Sequence, residues 1–156
     1  MTWREATPVP PRRDIGYNLC HMKEKSKELF ALTSHVIHGA GMGKQLGFPT
    51  INLVYPENSN FETGVYLCTA AFADSVFNGV MHLGPRPTMD DAVTFEIYLL
   101  DFDGRETYGA QVYVEVLKKL RKVKKFPNTD ALVKQIKEDV KEARDFFKEY
   151  RLDEDE

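Results

Sequence analysis

Thr50 and Asn52 are oxygen-bearing side chains two residues apart, directly after a loop with four glycines in nine residues, Gly39, Gly41, Gly43 and Gly47. Glycines let a backbone approach a ligand closely and turn its N–H groups toward it. Lys44 places a cation among them, which suits a polyphosphate, and Pro49 stiffens the exit. On an extended segment Thr50 and Asn52 project from the same face. Hard oxygen donors beside a phosphate cradle are what a magnesium–nucleotide complex requires, because Mg²⁺ takes few protein ligands and shares the phosphates' oxygens.

Two common loop signatures do not fit. A Walker A loop needs Ser or Thr after its Gly-Lys, and Gln45 stands there; His38 occupies the place of its first glycine. A dinucleotide fingerprint needs its third glycine three residues after the second, and here Gly43 is followed only by Gly47. His38 abuts the loop and reads as a structural residue or a phosphate contact.

A second constellation lies on Val93–Leu100. Val93, Phe95, Ile97 and Leu99 alternate on one face, and Thr94, Glu96 and Tyr98 on the other. Read from the residues alone, Glu96 is a carboxylate on a solvated face or a site carboxylate. A third is the run from Lys118 to Lys125, six cations in eight residues, followed by Phe126. Most of these cations read as a solvated face.

These segments must be positioned by the rest of the chain. The pattern predicts strands over 30–37, 50–54, 64–72, 76–83 and 93–100, and a last one through Ala110, Val112, Val114 and Val116. Asp74-Ser75 is the expected turn between the third and fourth strands, with Asn78-Gly79 a competing signal that would cut the return strand in half. Gly84–Thr88 reads as a stiff loop, and Asp103-Gly104 as a turn. Six short strands without intervening helices argue for an antiparallel barrel or sandwich, and the fold expected is mainly β, a six-stranded antiparallel, Greek-key-like barrel. After Pro127, Leu132, Ile136, Val140, Ala143, Phe147 and Tyr150 fall at steps of three and four, which predicts one C-terminal helix capped by Asn128 or Thr129. It should cover one mouth or flank of the barrel.

The chain of 156 residues is sufficient for one domain with a real core. Residues 1–28, with Pro8, Pro10 and Pro11, read as an extended or flexible arm, 29–150 as the domain, and 151–156 as an acidic solvated tail. A net charge of −3 argues against bulk nucleic-acid binding. No membrane span or export signal is read, and Cys20 and Cys68 read as free thiols, with a disulfide between them the alternative, so a cytoplasmic location is expected.

The loop resembles the riboflavin kinase family, whose signature reads G-x-x-x-G-[RK]-x-L-G-x-P-T-A-N. Gly39, Gly43, Lys44, Leu46, Gly47, Pro49, Thr50 and Asn52 match it, with Ile51 in place of the usual Ala. Glu96–Gly104 followed by Tyr108-Gly109 is similar to the family's E-[TV]-H-L-L, D-F-D-G and Y-G, with Tyr98 where His is usual. Leu83–Thr88 is similar to I-G-x-R-P-T, and Arg121 and Phe126 match L-R-x-E-x-x-F, with Val123 in place of its Glu. The resemblance runs from about Phe30 to Phe147. It implies ATP-dependent phosphorylation of riboflavin to FMN. Gly39, Gly41, Gly43, Lys44, Thr50, Asn52 and Tyr108 would hold ATP, and Thr50 and Asn52 would also hold Mg²⁺ or another divalent ion. Glu96 would be the base, and Arg121 and Phe126 would contact the flavin. In many bacteria this module follows an adenylyltransferase domain, which the short arm cannot hold, so FMN adenylylation is not expected. A non-catalytic flavin- or nucleotide-binding module is the alternative.

Overall fold

The computed structural model describes residues 29–152 apart from residues 40, 58–59 and 89–90, and gives the backbone alone for 150–152. The expected arm over 1–28, Cys20, and the tail beyond 152 lie outside the described residues, as does the side chain of Tyr150.

Six strands close into an antiparallel barrel: β1 (Phe30–Ile37), β2 (Ile51–Leu53), β3 (Gly64–Phe72), β4 (Ser75–Pro85), β5 (Val93–Leu99) and β6 (Gln111–Arg121). Around the barrel the order is β1-β2-β5-β4-β3-β6, so the first and last strands pair directly, Phe30 opposite Val116. The glycine loop contains a single helical turn, α1 (Met42–Gln45), and the chain ends in helix α2 (Thr129–Leu152).

The alternation read from the sequence sorts side chains as expected. Val36, Leu53, Met81, Leu83, Phe95, Ile97, Val112, Val114 and Val116 fill the barrel interior. Outside, Leu67, Leu100 and Leu117 form a second core with Ala143 and Phe147 of α2. The helix therefore covers a flank of the barrel, not a mouth. Its N-cap is Asn128, whose Oδ1 accepts the Ala131 amide at 2.9 Å.

Several boundaries differ from expectation. The β3–β4 turn is Ala73-Asp74, both at positive φ (49° and 58°), because Phe72 pairs with Ser75. That is the twist a two-residue hairpin needs. Asn78-Gly79 lies inside β4 opposite Thr69 and Cys68, and β4 runs on to Pro85. The basic run is partly strand: β6 continues to Arg121, and its register against β3 shifts twice. Leu117 and Leu120 are skipped in that pairing, and both pack toward α2. Bulges at these points re-aim side chains that simple alternation would place otherwise.

Cys68 is a buried free thiol inside the barrel, and burial raises its pKa well above the usual range. No helix of the described residues is long and apolar enough to cross a membrane.

Candidate active site

One lateral row of the sheet carries much of the site. Asn52 on β2 lies opposite Glu96 on β5, Glu96 opposite His82 on β4, His82 opposite Val65 on β3, and Val65 opposite Arg121 on β6. Residues directly opposed in an antiparallel ladder project from the same face. With Phe95 and Ile97 inside, this row faces outward, where two neighbouring clefts receive it.

The first cleft is the more polar of the two, about 870 Å³, and its walls include Gly39, Gly41, Lys44, Thr50, Asn52 and Tyr108. Six of the seven residues expected on the ATP side are thus brought together. Gly43 lies on the other side of the same turn. The second cleft is an apolar slot of about 140 Å³, walled in part by Gly43, Leu46, Glu96, Arg121 and Phe126. Thr50 and Tyr98 line both. The boundary between the clefts therefore carries one hydroxyl that can ligate a cation and one aromatic ring. That ring meets Phe48 edge to face at 5.6 Å.

The glycines serve close approach. A Cβ on Gly39 would lie 2.2 Å from the Asn52 carboxamide carbon, and one on Gly43 would lie 2.4 Å from the Phe48 carbonyl oxygen. The loop thus presses its backbone against Asn52 and the segment that leads to Thr50. Thr50 itself immediately precedes β2 and does not belong to it, although the expected strand began there. Two hard oxygens beside the glycine loop, bordering a cleft with the cations Lys44, Arg105 and Arg144, fit a divalent ion that shares its coordination with phosphates. No cluster of three or more His, Cys, Asp or Glu able to hold a metal exists among the described residues, so such an ion would rely on its substrate's oxygens.

Glu96 is not on a solvated face. Its side chain is 14% exposed, and its Oε1 accepts a hydrogen bond from Arg86 Nη1 at 3.2 Å. His82 beside it is half-buried. Desolvation first, and then the positive charges of Arg121 and Arg86, depress its pKa to about 4, so the ring is neutral near pH 7. Its Nδ1 lies 3.2 Å from Thr94 Oγ1.

Arg121 is held from α2. Its Nε and Nη2 donate to the Asp139 carboxylate at 2.9–3.2 Å, and Gln135 donates to the same carboxylate at 3.0 Å. Asp139 is only 4% exposed. The guanidinium carbon sits 5.7 Å from the Phe126 ring centroid, and Lys124 Nζ sits 5.1 Å from it. Much of the fork of Arg121 is thus spent on Asp139, so toward a ligand it offers mainly charge and a flat face. On the polar side Tyr108 stacks on His38, with ring centroids 3.6 Å apart.

The sequence reading gives no role to His82, Arg86, Thr88 or Asp139, although Arg86 and Thr88 lie in the Leu83–Thr88 segment that is similar to I-G-x-R-P-T. Asp139 had a signal: it is a carboxylate on the same helical stripe as Leu132, Ile136 and Ala143. For the others the signal was weaker, since their partners are set by cross-strand register.

The riboflavin kinase family model matches residues 26–147. The chain belongs to the riboflavin kinase family. It is 38% identical over 120 residues to the bifunctional riboflavin kinase/FMN adenylyltransferase of Haemophilus influenzae, across 76% of this chain and 39% of that protein. The chain thus spans about two-fifths of the length of such relatives. Among solved structures it resembles riboflavin kinase from Trypanosoma brucei, with a TM-score of 0.57, 28% identity and coverage of 80% and 83% of the two chains. It also matches part of a Streptococcus pneumoniae structure described as a macrolide-efflux protein, with a TM-score of 0.64, 30% identity and coverage of 73% and 38%. The six-stranded barrel with its C-terminal helix is therefore an architecture that the family shares.

Proposed function

We propose that the chain transfers the γ-phosphate of ATP to the ribityl 5′-hydroxyl of riboflavin, giving FMN and ADP. The observation that carries this reading is the pair of clefts meeting at Thr50, with Asn52 and Glu96 opposite each other across β2 and β5 at that boundary. The polar cleft suits a nucleotide and the apolar slot a flavin ring, so the two reactants meet where the carboxylate and the oxygen ligands lie.

In this reading the glycine loop and Lys44 bind the phosphates. Thr50 and Asn52 would hold the divalent ion, which when bound neutralises charge on the phosphate oxygens. Glu96 accepts the hydroxyl proton as the ribityl oxygen bonds to the γ-phosphorus. The bond from that phosphorus to the β–γ bridging oxygen breaks, and ADP leaves with the electron pair. Such transfers are catalysed mainly by positioning and charge stabilisation. The slot is smaller than the roughly 300 Å³ at the low end of ligand sites. Flavin entry therefore parts its walls, with Phe126 on the irregular segment between β6 and α2.

The deciding experiment incubates the protein with riboflavin, ATP and Mg²⁺ and separates the products by chromatography. FMN appearing with ADP supports the kinase. Stoichiometric flavin binding without turnover supports the non-catalytic module. A parallel incubation of FMN with ATP tests adenylylation; we expect no FAD, since the described residues build one barrel and its helix.

Two substitutions test the two clefts separately. Lys44→Ala should raise the KM for ATP roughly 10-fold or more and affect kcat less, because a phosphate contact is made in both ground and transition states. Steady-state kinetics with ATP varied checks this, and a fall in kcat at unchanged KM contradicts it. Phe126→Ala should weaken riboflavin binding by about 1–3 kcal/mol through lost stacking and burial. Fluorescence titration reads it, and an unchanged affinity would leave Phe126 a residue that only seats the start of α2.

A further inference from the structure

The β4–β5 corner contributes to both halves of the site, and neither contribution is visible in either half alone. Its backbone is held firmly. Pro85 at the end of β4 pairs with Val93 at the start of β5, and the Arg86 amide donates to the Ala92 carbonyl at 3.0 Å. The Arg86 carbonyl in turn accepts the Asp91 amide at 3.0 Å, with Asp91 at φ 54°. Pro87 fixes the next φ angle. From this anchored corner two side chains reach in different directions. Arg86 Nη1 bonds Glu96 Oε1 at 3.2 Å, and the two side chains are only 11% and 14% exposed. Thr88 Oγ1 accepts the Phe126 amide at 2.9 Å, across 38 residues of sequence. Phe126 lies five residues beyond the last residue of β6, in a stretch with no strand or helix of its own, so few backbone bonds can define where its ring stands.

We propose that the Arg86-Pro87-Thr88 corner is a positioning element for both halves of the site, in which Arg86 aims the Glu96 carboxylate and Thr88 fixes the backbone that carries Phe126. This rests on the kinase reading above. A glutamate on a strand has three side-chain torsions to restrain, and holding one of its oxygens removes most of that freedom before substrate arrives. A guanidinium near the carboxylate lowers its basicity, which opposes proton abstraction. In a loose phosphoryl transfer the proton moves late and geometry outweighs basicity, so the net effect favours the pair. On the flavin side, losing the Thr88 hydroxyl releases the Phe126 amide, and the ring no longer has a fixed position on which to receive the isoalloxazine.

The two arms have opposite kinetic signatures, which a merely structural corner would not show. Arg86→Gln should lower kcat by roughly 10²-fold with riboflavin affinity little changed. Arg86→Lys should recover part of that loss, since it restores the charge without the fork. Thr88→Val should act mainly on riboflavin, raising its Kd roughly 3- to 10-fold, and Thr88→Ser should restore the wild-type value. Turnover is followed by chromatography, flavin Kd by fluorescence, and folding by melting temperature, all on the full chain. The proposal is overturned if folded Arg86→Gln keeps its kcat within about twofold, or if Arg86→Gln and Thr88→Val shift the same parameter together. Loss of melting temperature with both parameters intact also overturns it. A wild-type protein that makes no FMN removes the kinase reading and the Arg86 arm with it, while the Thr88 arm is still decided by flavin titration.

Discussion

Glu96→Gln should lower kcat by roughly 10²–10⁴ while leaving ATP and riboflavin affinities within a few-fold. The amide keeps the size and hydrogen-bonding reach of the carboxylate but cannot take a proton at neutral pH. The barrel interior does not depend on this side chain, because Phe95 and Ile97 point inward and Glu96 outward. Its ion pair with Arg86 does contribute to the fold, and replacing a charge-assisted hydrogen bond by a neutral one should cost at most about 1–3 kcal/mol. A modest fall in melting temperature with a large fall in kcat is therefore the expected combination. A folded, fully active Glu96→Gln protein would end the proposed base.

Thr50→Val is the second large effect. Valine keeps the β-branched shape and the backbone preference that places this residue before β2, and it removes only the hydroxyl. Loss of one preorganised polar group at a phosphoryl-transfer centre should reduce kcat by about 10²–10³. Because Thr50 lines both clefts, the substitution also distinguishes its two surroundings. Calorimetric titration with ATP in the presence and absence of Mg²⁺ should show the metal-dependent gain in affinity shrink, while riboflavin affinity holds. An unchanged dependence on Mg²⁺ would remove Thr50 from the ion's ligands.

Much of this site could be read before any coordinates because its residues obey local rules. The glycine spacing marked a loop that comes close to something, and Asn52 is indeed what it comes close to. Period-two alternation separated Glu96 from Phe95 and Ile97, which is enough to put it outside the barrel. Alternation cannot say what lies over that outer face, so the choice between solvent and a cavity stayed open until α2 and the glycine loop were in place. The same limit explains Lys118–Arg121. Two register shifts interrupt alternation there, and the bulged residues are the two leucines that meet α2. A run of cations with displaced leucines looks like a surface segment when read as a string. Arg86 and Thr88 stood in a segment similar to I-G-x-R-P-T, but their partners were not legible, because these are 10 and 38 residues away and no period connects them.

The closure of the barrel by its first and last strands also fixes when a working site can exist. Phe30 pairs with Val116, so β1 cannot make its pairing with β6 until nearly all of the barrel sequence is available. Pairings this far apart in sequence pay loop-closure entropy before contacts repay it, and folding dominated by such pairings is slow. The β3–β4 hairpin can form locally, but it carries only His82 and Val65 of the lateral row. Asn52 on the short β2 depends on β5 and β1, and Arg121 on the far end of β6. Partly assembled chains therefore hold fragments of the site without the meeting of the two clefts, and catalytic competence arrives late and cooperatively, with the last strands to pair.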